Sequence, residues 1–128
     1  MAKKILNIVE SAYRAIAEEQ DDTIIWITTV LKKNGGDITV LLKGNAVNYV
    51  VKDQKAPALS FGDWEQTNPP DIATDMKRLV DAGAEVLYVE EDLADRGLSG
   101  VGMMDGVKGI TRSAAPKVLM DYDQIWHW

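Results

Sequence analysis

Ile72, Met76, Leu79 and Val80 fall at positions i, i+4, i+7 and i+8, and three residues later Gly83 opens directly onto the apolar run AEVLYV, residues 84–89. The first spacing is the stripe of a helix lying on a sheet. The second run has the length and β-branched content of a buried strand. A helix passing through one glycine into a strand is half of a crossover between parallel strands. The same order recurs upstream, where TIIWITTVLKK, residues 23–33, is stopped by Asn34-Gly35-Gly36 and followed by DITVLLKG, residues 37–44. Asp21-Asp22 before that helix and Lys32-Lys33 at its end complement the helix dipole. Ile24, Ile27 and Leu31 share a face, with Trp26 expected in the core.

The remaining elements fit this alternation. KKILNIV, residues 3–9, is a first strand, and residues 11–20 form a short helix. Residues 45–52 add another helical turn, and residues 53–70 make an irregular loop of the length used for lids or interface arms. Asn68 caps the helix that carries the 72–80 stripe, with Pro69 and Pro70 in its first turn. Glu90 to Arg96 form a short helix that Arg96 caps. Residues 100–104 are then a strand, 105–115 a weak helix and 117–122 the last strand. No hairpin signal interrupts the series. The expectation is one domain over residues 1–128: an α/β three-layer sandwich of about five mainly parallel strands with helices on both faces.

Composition narrows the chemistry. The chain has no cysteine and one histidine, His127, which excludes disulfides, thiolate sites and multi-histidine metal centres. Its net charge of -6, with scattered basic residues, argues against nucleic acid. No apolar run approaches the roughly 20 residues of a membrane span, and no leader pattern is evident, so a cytoplasmic location is expected. Gly100-Val-Gly102-Met-Met-Asp105 misses the dinucleotide fingerprint, since its last position is a carboxylate. No cofactor is expected.

The candidate site lies where parallel strands end. Glu90, Glu91 and Asp92 follow the strand 84–89. Glu10 and Ser11 follow the first strand, Lys43 and Asn45 the second, and Arg96 closes the acidic helix. Glu10, Glu90, Glu91 and Asp92 include enough oxygens for a divalent cation, but their spacing matches no known loop, so no metal is expected. Trp64 in the long loop, and Trp126, His127 and Trp128 after the last strand, are candidates for an interface.

KKILNIVES, NGGDITVLLKGNAV, GAEVLYVEEDLADRGL and KVLMDYD together resemble the DsrE/DsrF/TusBCD family of small α/β proteins. The resemblance implies a DsrE-like fold, homo-oligomers (trimers or hexamers) and a place in sulfur relay. It also implies partnership with a cysteine-bearing homologue or a sulfur carrier protein. Where family members carry a relay cysteine, this chain has Val89, Glu90, Glu91 and Asp92, so the resemblance implies a non-catalytic subunit. The alternatives are a small-molecule or cation binder, or a cysteine-independent enzyme, using the acidic crevice, and a structural module without sulfur function.

Overall fold

A computed structural model describes residues 3–13 and 21–128. Five parallel strands form one sheet: β1 (Ile5–Val9), β2 (Ile38–Leu42), β5 (Glu85–Val89), β6 (Val107–Ile110) and β7 (Gln124–His127), in the spatial order β6-β5-β2-β1-β7. β3 (Ser60–Phe61) and β4 (Trp64–Glu65) form a separate antiparallel hairpin. The α/β sandwich expected from the alternation is therefore present, with helices on both faces of the sheet.

The two faces are covered unequally. On one, α1 (Thr23–Lys33), α2 (Ile72–Asp81), the short α3 (Glu90–Asp95) and the 3-10 segment Gly44–Val50 cover Val9, Val40, Leu42, Val86 and Tyr88. Met76 and Leu79 of α2 and Ile25 of α1 are fully buried there. On the other, Leu6, Ile8, Leu41, Leu87 and Val89 are covered by Val118 and Leu119 of α4 (Ala115–Leu119), with Ile110 and Tyr122. The stripe 72–80 packs as its spacing requires. α1 buries a different face from the one expected: Ile24, Ile25, Thr28 and Thr29 turn inward, and Trp26 is 52% exposed. The two threonines tolerate burial because their hydroxyls donate to the carbonyls of Ile24 and Ile25 one turn earlier. The Thr28 hydroxyl also accepts from the Asn7 side chain at 2.6 Å, tying α1 to β1.

Four further expectations are corrected. Asp71, rather than Asn68, caps α2, its carboxylate accepting from the Thr74 N–H at 3.0 Å and the Thr74 hydroxyl at 2.8 Å. The prolines thus precede the helix instead of entering it. A hairpin does occur, turning at Gly62 with φ +58°. Residues 100–104 contribute only a bridge between Met103 and Val51, and the strand that borders β5 is Val107–Ile110, inside the expected helix 105–115. Residues 117–122 do not form the last strand. Pro116 sits in the first turn of α4, where its missing N–H costs nothing, and β7 follows at 124–127. Most of the helix expected over 11–20 lies outside the described residues. Among the described residues, no helix is long and apolar enough to cross a membrane.

Candidate functional site

Parallel register aligns the strand exits: Val9 faces Leu42, Leu42 faces Tyr88, and Ile8 faces His127. Beyond them the chain leaves in two directions. After β5 it enters α3, whose Leu93 packs with α1 and α2; after β6 it crosses to α4 on the opposite face. Departures to opposite faces open a crevice beyond the strand ends. It measures about 280 Å³, with Ile8, Leu41, Val89 and Leu119 as its apolar wall and Glu10, Lys43, Asp92 and Arg112 as its charged groups.

Arg112 lies within the segment expected to be helical, and sequence reasoning did not single it out. Its N–H donates to both Glu91 carboxylate oxygens, at 2.7 and 3.0 Å. Its guanidinium donates to Asp92 at 2.7 Å and Asp95 at 2.9 Å. The other Asp92 oxygen accepts the Gly44 N–H at 2.7 Å, which joins β2's exit to α3. Burial alone would raise the Asp92 pKa, but the hydrogen bonds from Arg112 and Gly44 outweigh it and hold the carboxyl below its ordinary value. Asp92 and Asp95 in turn keep Arg112 firmly protonated.

The acidic run does not cap its own helix. Val89, the N-cap of α3, makes no side-chain cap. Glu91 and Asp92 instead spend their oxygens on Arg112 and Gly44. Glu90 lies toward β6, and a Cβ on Gly109 would stand 2.5 Å from its Oε1. Arg96 donates to the Asp92 carbonyl within its own helix and to the Asn45 side chain, each at 3.0 Å. That fits the capping role expected of Arg96.

At the β1 exit, Glu10 is bound by His127 at 2.6 Å, with the Lys43 ammonium 3.9 Å away. The Trp128 carbonyl accepts from the N–H groups of Glu10 and Ser11, so Ser11 is held by its backbone outside the crevice lining. Trp126, His127 and Trp128 belong to or directly follow strand β7, and are no free tail. The Trp128 indole donates to the Asn7 side chain at 2.6 Å. Trp64 stands apart on the hairpin, its ring 6.0 Å from that of Phe61, and both are exposed. Of the predicted residues, the structure brings Glu10, Lys43 and Asp92 into one crevice, with His127, Glu91, Arg96 and Asn45 bonded around it. Among the described residues, no group of three or more His, Asp or Glu side chains is arranged to hold a metal ion.

The chain matches no protein-family profile and no curated protein sequence. Solved structures do match, and they share the α/β sandwich fold over nearly the whole chain. The ychN protein from E. coli superposes with a TM-score of 0.75 over 98% of this chain and 99% of its own, at 19% identity. BT1422 from Bacteroides thetaiotaomicron, described as a conserved protein of unknown function, gives 0.66 over 98% and 95%, at 13% identity. MTH1491 from Methanobacterium thermoautotrophicum, likewise of unknown function, gives 0.58 over 98% and 99%, at 11%. At these identities the likeness concerns the fold.

Proposed function

We propose that this chain is a thiol-free DsrE-like subunit that acts by assembly, as a homo-oligomer (trimer or hexamer) and as an accessory partner of a cysteine-bearing homologue or sulfur carrier in intracellular sulfur handling. One observation carries the reading: the turn after β5, where the resemblance places a relay cysteine, holds carboxylates already bound to Arg112 and Gly44. The chain has no thiol to form a persulfide, and its own carboxylates already occupy the Arg112 and Gly44 donors that could hold one. The acidic crevice is also a weaker cation site than its sequence suggests, because Arg112 supplies the counter-charge. Exposed aromatic rings at Phe61 and Trp64, and the outer edge of β7 (unpaired among the described residues) with Trp126, His127 and Trp128, support contact between subunits.

Light scattering coupled to size exclusion tests the assembly, and incubation with a persulfide-bearing carrier followed by intact-mass measurement tests the chemistry. A particle of three or six times the 14.1 kDa subunit, with no sulfur gained by the chain, is expected. A monomer at micromolar concentration, or a chain mass raised by sulfur, overturns the proposal.

A further inference from the structure

A second cavity lies away from the strand-end crevice. It measures about 360 Å³ and is framed by the β1 exit, the start of α1, the 3-10 segment, residues 54–56 and the start of α2. Its walls are aromatic and apolar. The Tyr13 and Tyr49 rings meet edge to face at 5.4 Å and 74°, with Ile72, Pro70 and Ala56 alongside. Two buried carboxylates, Asp22 and Asp75, also line it, at 1% and 7% exposure.

The two acids are satisfied to different degrees. Asp22 accepts the N–H groups of Ile24 and Ile25 on one oxygen and the Tyr49 hydroxyl on the other. Among the described residues, Asp75 accepts the Asp22 N–H at 3.2 Å, and its carboxyl also meets that of Asp21. A carboxylate has about four acceptor positions, so Asp75 retains spare capacity. Its cationic neighbour is Arg78, 3.6 Å away on an exposed side chain that also lies 3.9 Å from Asp21. Burial, with Asp21 close by, pushes the Asp75 carboxyl up to about 6 despite the Asp22 N–H and Arg78. A carboxyl displaced that far is short of positive charge.

We propose that this cavity binds a small organic amine, its ring or hydrocarbon body against Tyr13 and Tyr49 and its ammonium facing Asp75 and Asp22. An anion would face two buried acids. A bare metal ion would have to strip Asp22 of the helix N–H groups and the Tyr49 hydroxyl. An alkylammonium needs neither, since it adds donors to the Asp75 carboxylate and gains cation–π attraction from the tyrosines. Exposed Lys55 at the rim suits an amine whose far end is neutral or acidic. The site does not depend on the proposed assembly.

Calorimetric titration of the full chain with phenethylamine, 2-phenylethanol and phenylacetate separates charge from shape, because the three share one ring and one linker. Phenethylamine is expected to bind at least tenfold more tightly than the alcohol, and phenylacetate not measurably. Asp75→Asn should weaken the amine at least tenfold. Tyr13→Ala, at a half-exposed position whose loss leaves the core intact, should weaken it severalfold. Equal affinity for the alcohol, no heat with the amine, or amine binding unmoved by both substitutions overturns the proposal. The last result would report general attraction of a cation to a protein of net charge -6.

Discussion

The Arg112 guanidinium lies 2.7 Å from the Asp92 carboxylate, across the gap between the chain leaving β5 and the chain leaving β6. Asp92 is nine-tenths buried and its second oxygen accepts the Gly44 N–H. Asp92→Ala therefore leaves Gly44 without its acceptor and Arg112 without its most buried partner. A loss of about 1–3 kcal/mol is expected in urea denaturation. A loss within ~0.3 kcal/mol would mean that Asp92 only complements the dipole of α3.

The same pair sets acid sensitivity. The Asp92 pKa is lowered in the folded state, so its contribution is present above the unfolded carboxylate value and disappears as pH falls through the folded one. Melting temperature should therefore fall on acidification below about pH 4, and less steeply in Arg112→Ala than in the parent chain.

Asp75 works in the opposite direction. Its folded pKa, about 6, lies above the reference value of 3.8, so the folded state holds a proton that the unfolded state releases in that interval. Its contribution to stability should be full below about pH 4 and be lost as pH rises to about 6. The span is at most ~3 kcal/mol at 1.36 kcal/mol per unit. Asp21, Asp22 and Arg78 face this carboxyl. Asp75→Asn should flatten the profile of melting temperature over this interval, and an unchanged profile would contradict the assignment.

Core and surface substitutions should divide sharply. Leu79→Ala opens a cavity in the fully buried layer between α2 and the sheet and is expected to cost ~2–4 kcal/mol. Trp26→Ala, despite the larger ring, should cost under ~1 kcal/mol because the side chain is half exposed. Chemical denaturation of both variants checks the face assignment of α1 directly.

Gly106 turns the chain into β6 with φ +84°, and a Cβ there would stand 2.6 Å from Val80 Cγ1. Gly106→Ala combines left-handed strain with a clash against α2. A loss of ~1–3 kcal/mol is expected, with Val80→Ala in the same chain relieving part of it.

The first two-thirds of the fold is legible in the sequence because its elements carry full-length signals. The stripe 72–80, the stop at Asn34-Gly35-Gly36 and the runs ITVLL and EVLYV each specify one conformation. The last third is not legible, since its short elements lack such uninterrupted apolar runs or hide behind a misleading one. VKGI reads as strand only beside β5, and Pro116 is compatible with a helix start that the KVLMDY pattern conceals. Trp26 misled because threonine is read as polar, whereas Thr28 and Thr29 bury their hydroxyls on their own helix. The strand-end charges of Glu10, Lys43 and Asp92 could be placed from topology alone. Arg112 could not, because its role requires knowing that β6 lies beside β5. The Asp22–Asp75 cavity joins residues 53 positions apart and leaves no local pattern.

After β6 the polypeptide crosses the whole sheet through α4 before β7 docks on β1, a traverse of four strand spacings or roughly 19 Å. Among the described residues β7 pairs with β1 alone, so its place in the sheet rests on that one neighbour. Trp128, directly after β7, grips Asn7, which itself holds Thr28 of α1. Loss of the Trp128 indole would therefore unlatch the far edge and take a partner from the side chain that holds α1 to the sheet.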